Sequence, residues 1–334
     1  MVSGAPEEAR WMRSEPRRTL SLLTVERMIE TVLPRRRVLG VQRFPDSLRN
    51  TNFRISLDST PELVVLRIYE HDSSLCQKEI DLFRLIGSSV PVPEVIGAKP
   101  HGSDDLPPLV LMSYVEGLSF RELKKSGDAE AIAQAAYSAG ETLAAVSRFS
   151  FSKPGWLAPG PAVTKPLLEG ADPLPHFVDL CLGSEHLRKR VPADLRDQTS
   201  AFLWSWAAQL ATLDSATNLA HGDFNKRNLL VRCIAGRWSV AAVLDWEFAI
   251  SSSPLVDFGN FLRYERAWHS LIEPHFSTGY LNSGGTLPEN WRQLSQVIDL
   301  VAICESLTHT QLRRDVVVEL VDLLRRTVEN CAPP

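Results

Sequence analysis

"LAHGDFNKRNLLVRCIAGRWSVAAVLDWE", residues 219–247, decides how the rest of the chain is read. It gathers His221, Asp223, Asn225, Lys226, Arg227 and Asn228 directly before an apolar run, Leu229, Leu230 and Val231. Ionisable side chains beside a core are costly unless they are paired, hydrogen-bonded or bound to a metal. Two runs of strand character, NLLVRC and WSVAAVLDW, flank the turn IAGR, which reads as a hairpin. A hairpin returns its ends to one place. Asn228, before the first strand, and Asp245, 17 residues later at the end of the second, therefore become neighbours, with Asp223 just ahead of them. One carboxylate and one amide oxygen suit a hard cation such as Mg²⁺, which keeps several waters and takes its other ligands from phosphates. The remaining carboxylate, Asp223, is then free to accept the proton of an attacking hydroxyl. Phosphoryl transfer needs this division of labour, with positioning and charge neutralisation doing most of the catalysis.

Upstream, residues 24–33 read as an amphipathic helix stopped by Pro34. Three strand-like runs follow, ending at Phe44, Leu57 and Tyr69, separated by the turn formers PDSLRNT and DSTPE. SSLCQKEIDLFRLIG repeats apolar residues at helical spacing, and VPVPEVIG and PLVLMSYVEG supply two more strands. The N-terminal third is thus a five-stranded sheet with one helix inserted after its third strand. Beyond residue 117 the pattern is helical at 128–149, 176–182, 195–213 and from 254 to about 330, with a break at NSGGTLPEN. Residues 150–192 are otherwise rich in Pro and Gly and read as irregular.

These motifs together resemble the aminoglycoside phosphotransferase and choline kinase-like family, small-molecule relatives of the protein kinases. The resemblance runs from about residue 37 to 325 and rests on HGDFNKRN, on VLDWEFA followed by PLVDFGNFL, and on the strand order around EIDLFRLIGSSVPVPEVIG. It implies an α+β, two-lobed protein-kinase-like fold: a β-rich N-lobe with one helix over 19–117 and a larger, mainly helical C-lobe over 118–334. It also implies ATP and Mg²⁺ as cofactors. Asp223 would be the catalytic base and His221 the histidine that holds the catalytic loop. Asn228 and Asp245 would be the metal ligands. Arg67 lies where the family places a lysine against the α- and β-phosphates, and Glu79 matches the helix glutamate that orients that cation. Ser113, Tyr114 and Val115 fall at the hinge that would meet adenine, and SLRNTNF, with Asn50 and Thr51, at the phosphate loop.

The chain departs from that pattern twice. Its phosphate loop has no glycine, although Gly brings backbone amides closest to phosphate. Arginine replaces lysine at 67, a change of geometry as well as of size, since its planar fork can take phosphate oxygens in pairs. Lys226 and Arg227 suit the γ-phosphate or plain solvent, and Asp257 an anchor for the loop after the hairpin. Glu247 is a candidate for a second metal or a substrate cation. Glu265 beside Tyr264 and Trp268 forms a candidate aromatic and acidic seat for an amine.

The acceptor is expected to be a hydroxyl of a small molecule, because no A-P-E signature of the protein kinases follows DWE. The resemblance implies an amine-bearing acceptor, aminoglycoside-like, choline-like or an amino sugar, with antibiotic resistance as one biological outcome. The alternatives are a kinase for a sugar or another antibiotic, and a nucleotide-binding pseudokinase with a regulatory role. With 334 residues, 44% apolar and 23% charged at a net charge of -4, the chain is of ordinary globular type, and nothing points to nucleic acid or a membrane as partner. Residues 1–18 mix acids with arginines, lack a signal-peptide core and read as a flexible tail. Five scattered cysteines without metal spacing fit free thiols in a reducing cytoplasm, in a monomer or homodimer.

Overall fold

The computed structural model describes residues 20–44, 50–70, 72–103, 105–265 and 271–331. The expected tail at 1–18, Ser47 of the phosphate loop and Trp268 lie outside the described residues.

The chain opens with α1 (Leu22–Val32), capped by the Ser21 side chain on the Thr24 amide. Then come β1 (Val38–Arg43), β2 (Thr51–Leu57), β3 (Leu63–Ile68), α2 (Ser73–Ile86), β4 (Val95–Lys99) and β5 (Leu109–Ser113). The strands form one antiparallel sheet in the order β1-β2-β3-β5-β4. Side chains alternate across a strand, and the burial follows. Val64, Leu66, Ile68, Leu109 and Leu111 face α1 and pack with its Val25, Met28 and Ile29 in one core. Tyr69, Val110 and Met112 face α2, where Ile80, Leu82, Phe83 and Ile86 join them to a second core that continues through the rest of the molecule. Arg67, between Leu66 and Ile68, therefore points to the α2 side.

The C-terminal part carries β6 (Leu118–Ser119), α3 (Phe120–Ser126), α4 (Ala129–Ser147), β7 (Gly155–Ala158), β8 (Ala162–Lys165), α5 (Pro173–Gly183), α6 (Glu185–Arg190), α7 (Ala193–Ser205) and α8 (Ala207–Ala211). After β9 (Asn218–Ala220) come β10 (Leu229–Ile234), β11 (Arg237–Val243) and β12 (Ile250–Ser252). The chain closes with α9 (Leu255–Leu262), α10 (Glu273–Asn282), α11 (Trp291–Thr308) and α12 (Arg314–Asn330). The expected hairpin is β10–β11, and β6 adds a third strand to it.

Three expectations need correcting. Outside the helix expected at 176–182, which is α5, residues 150–192 carry β7, β8 and α6 rather than an irregular run. Each of those strands is four residues long, too short to display alternation, and the sheet order β8-β7-β12-β9 depends on partners far along the chain. The single helix expected at 195–213 breaks at Trp206, whose ring is buried in the main core. A separate helix, α3, follows the sheet. It starts with a capping box in which Ser119 and Glu122 exchange bonds.

The α4 and α10 helices cross at glycines. A Cβ on Gly140 would lie 2.0 Å from the Phe276 carbonyl oxygen, and one on Gly279 would lie 2.1 Å from that of Tyr137. No described helix is long and apolar enough to cross a membrane.

Candidate active site

Strand β9 delivers the chain to His221, and the loop 221–228 then runs into β10. Its backbone is held from beneath by Asp257 of α9, whose Oδ2 accepts from the His221 amide at 2.7 Å and Oδ1 from the Gly222 amide at 2.9 Å. Asp257 thus anchors the loop before the hairpin, not the segment after it. Gly222 has φ 77°, and a Cβ there would meet the Phe248 carbonyl oxygen at 2.3 Å, so only glycine fits. Phe224 turns down into the aromatic cluster, 5.7 Å from Phe261 and 6.4 Å from Phe276 between ring centroids.

His221 is fully buried. Its Nδ1 accepts from the Asp223 amide at 3.2 Å, which leaves the proton on Nε2, 3.0 Å from the Leu244 carbonyl oxygen. Burial lowers its pKa to about 4, against the pull of Asp245. The imidazole is a neutral brace between the loop and the end of β11.

Asp223 receives three amide donors. Asn225 and Asn260 reach its Oδ1 at 2.8 and 3.3 Å, and Asn228 reaches its Oδ2 at 2.9 Å. Burial, then the nearby Asp245 charge, raises its pKa to about 6. The Asn228 carbonyl meanwhile accepts the Leu244 amide at 2.8 Å. The register of β10 against β11, Leu229 opposite Val243, thus brings Asn228 and Asp245 to one mouth. Asp245 adopts the left-handed conformation, φ 69° and ψ 66°, which turns it out of the strand.

Opposite the mouth stands Arg67. Its Nη2 donates to Asp245 Oδ1 at 2.5 Å, and its Nε lies 3.2 Å from Glu79 Oε2. Burial disfavours the charge, yet Glu79 and Asp245 outweigh it and hold the Arg67 pKa above its ordinary value. Glu79 also accepts the Trp246 amide at 3.1 Å on Oε1. One helix residue therefore links the strand cation to the backbone beside Asp245. Tyr69 joins the group: its hydroxyl bonds Glu79, and the Arg67 guanidinium lies 5.3 Å from its ring centroid.

The other candidates are placed as follows. Asn50 donates to Glu247 Oε2 at 2.9 Å and Thr51 to Glu70 at 2.6 Å, so both side chains bond protein carboxylates. Glu247 is buried, and its carbonyl accepts from the Lys78 ammonium at 2.8 Å. It ties the phosphate-loop position to the segment after Asp245. Glu265 pairs with Lys124 and lies 3.4 Å from Lys226, so it sits between two ammonium groups rather than offering an open acid for an amine. Lys226 is buried and also donates to the Phe261 carbonyl at 2.5 Å. At the hinge, the Ser113 amide is bonded to the Glu94 carbonyl at 2.9 Å, and Tyr114 and Val115 follow it. Those two residues line a cleft of about 490 Å³ with Glu62, Leu63, Glu116 and Arg232. It opens at the far end of β3 from Arg67, because Val64 pairs with Ser113 and Arg67 with Val110.

The sequence reading missed Tyr69, Lys78, Asn225 and Asn260. Tyr69 was signalled by its place two residues after Arg67 on the same strand face. Asn260 was signalled by its place one helical turn after Asp257. Among the described residues no three His, Cys, Asp or Glu side chains cluster as a metal site. The mouth offers instead one carboxylate, Asp245, and the side-chain oxygen of Asn228, whose nitrogen is engaged by Asp223. That sparse, all-oxygen donor set fits Mg²⁺ carried on phosphates better than a metal caged by protein.

The model of a family described as phosphotransferase enzymes, APH, matches residues 40–296. No curated protein sequence matches the chain. Among solved structures, a thermostable mutant of aminoglycoside phosphotransferase APH(4)-Ia in complex with AMP-PNP and hygromycin B aligns with TM-score 0.66 at 17% identity. It covers 93% of this chain and 99% of that one. The GDP and kanamycin complex of APH(2")-IIIa aligns with TM-score 0.67 at 18% identity, covering 92% and 99%. The streptomycin and ATP complex of APH(2")-IIa aligns with TM-score 0.56 at 15% identity, covering 94% and 99%. At such identities the likeness is one of fold, the two-lobed kinase-like fold.

Proposed function

The chain belongs to the phosphotransferase enzyme family, and on that premise we propose that it moves the γ-phosphate of a nucleoside triphosphate to a hydroxyl of a small molecule. One observation carries this reading. The Asn228 amide bonds Asp223 at 2.9 Å while its backbone bonds Leu244, so Asp223, Asn228 and Asp245 share one mouth, and Arg67 lies 2.5 Å from Asp245 across it.

Each residue then has a task. Asp223, its carboxylate fixed by three amides, orients the acceptor hydroxyl and takes its proton as the new oxygen–phosphorus bond forms and the bond to the β-phosphate bridging oxygen breaks. Arg67 holds the α- and β-phosphates, and Glu79 holds Arg67. His221 keeps the loop in register without exchanging protons. Asn228 and Asp245 would hold Mg²⁺, which when bound offsets charge on the β- and γ-phosphates. Tyr114 and Val115 meet the base.

The acceptor is proposed to be an amine-bearing polyol, in line with the hygromycin B, kanamycin and streptomycin held by the solved structures of similar fold. With Glu247 and Glu265 engaged by Asn50, Lys124 and Lys226, other acids have to seat its amines. An aminoglycoside acceptor would make the enzyme, working in the cytoplasm, a determinant of antibiotic resistance.

The test is ADP or GDP release with Mg²⁺ against a panel of aminoglycosides, amino alcohols and sugars, for the wild type and Asp223→Ala. Acceptor-dependent release by the wild type is expected, reduced at least about 10²-fold in the variant. Equal rates in both would make the chain a nucleotide binder rather than a kinase.

A further inference from the structure

Arg67 is nearly buried, and its Nε–H, although 3.2 Å from Glu79 Oε2, is misaligned and has no hydrogen-bond acceptor among the described residues. A buried arginine beside a carboxylate ordinarily closes a two-bond fork with it. Here a third side chain intervenes. The Tyr69 hydroxyl bonds the same Oε2 that the guanidinium approaches, and the Tyr69 ring lies beneath the guanidinium at 5.3 Å. Tyr69 is 2% exposed, so it acts through its neighbours.

We propose that Tyr69 is a positioning residue for Arg67: by taking the Glu79 oxygen it keeps the arginine fork unclosed and aimed at the nucleotide's phosphates. This rests on the reading that Arg67 binds those phosphates. The chemistry follows from the side chain in use. A lysine ammonium is a point charge and needs no in-plane partner; a guanidinium is a planar fork whose donors are lost to substrate once a carboxylate takes two of them. The strand supplies the remedy two residues on, where the side chain falls on the same face as Arg67. Burial first, and then the adjacent Glu79 charge, holds the phenol protonated, so it stays a donor to the carboxylate. The ring face adds a cation–π contact that suits a flat cation.

The experiment is calorimetric titration of the full chain with magnesium ADP, and with magnesium GDP in parallel. The proteins are the wild type, Tyr69→Phe, Tyr69→Leu, Arg67→Lys and Arg67→Lys/Tyr69→Phe, each checked for cooperative melting. Removing the hydroxyl should weaken nucleotide binding by about fivefold or more, and the Leu variant at least as much. In the Arg67→Lys background, adding Tyr69→Phe should change affinity less than about twofold, since a point charge has no fork to protect. A packing role would give the same loss in both backgrounds, and that result overturns the proposal. So does an unchanged affinity in Tyr69→Phe, or the loss of its cooperative melting. If the wild type binds neither nucleotide, the reading of the whole site fails along with it, a result distinct from failure of the Tyr69 role alone.

Discussion

Asp223 and His221, two residues apart, are moved by burial in ways that matter differently. In its proposed role as base the Asp223 carboxyl would have to be ionised, and its pKa is raised to about 6. Phosphotransfer is therefore expected to fall as pH drops below about 6, with binding of a divalent cation beside Asp245 moving that limb lower. The residual rate of Asp223→Ala should lack the limb, which a pH profile of the two proteins checks. His221 is held neutral with its pKa lowered to about 4. Between its ordinary value of 6.5 and about 4, the unfolded chain takes up a proton that the folded one refuses. Stability is thus lost as pH falls through that window, by on the order of 3 kcal/mol from this residue. Asp223 and Asp257 titrate in the opposite sense, so the clean measurement is a comparison. The denaturant-midpoint gap between wild type and His221→Gln should narrow from pH 7 to pH 4.5. The meeting of Asp223, Asn228 and Asp245 at one mouth was legible in the sequence because a hairpin brings distant ends together. The fates of Glu247 and Glu265 were not, because a carboxylate's partner is a neighbour in space: Asn50 for one, Lys124 and Lys226 for the other.

At the scale of elements, α2 is the part that sets the site. Its consecutive residues Lys78 and Glu79 grip the segment after Asp245 at two points, the Glu247 carbonyl and the Trp246 amide. Burial lowers the Lys78 pKa to about 8, partly opposed by Glu247. Lys78→Met should leave the Glu247 carbonyl without this donor and cost about 1–3 kcal/mol of stability, while raising the apparent nucleotide KM by loosening Asp245. Thermal unfolding and steady-state kinetics test both halves. Helix α9 does the equivalent work below the loop: Asp257→Ala strands the His221 and Gly222 amides and should cost about 2–5 kcal/mol. Long helices such as α4, α11 and α12 and the β10–β11 hairpin show in the sequence because their patterns are local and long. The β7–β8 pair does not, since its sheet is completed by Ile250 against Trp156, and such long-range pairing leaves no local period.

Over the whole molecule, two cores divide the labour. One lies between α1 and the outer face of the sheet; the other runs unbroken from the inner face through α2 into the helices. The larger core is held close at the α4–α10 crossing. Gly140→Ala would drive a methyl to 2.0 Å from the Phe276 carbonyl oxygen and should destabilise the protein by about 1–3 kcal/mol or more, without altering nucleotide affinity in the protein that remains folded. Calorimetric melting alongside nucleotide titration separates the two effects. The broad plan, a sheet followed by helices with the hairpin between, was readable from periodicity. The crossing was not, because a glycine in a helical run does not say which backbone approaches it. Arg67 and Asp245 also join the sheet to the hairpin, 2.5 Å apart and mutually neutral. A bare phosphate chain drawing the arginine away would strand the aspartate, whereas a lone divalent ion claiming the aspartate would leave the arginine to Glu79. A divalent ion arriving with the phosphates would fill the place the arginine leaves, so that loading would become an exchange of companions in which no charge is left widowed.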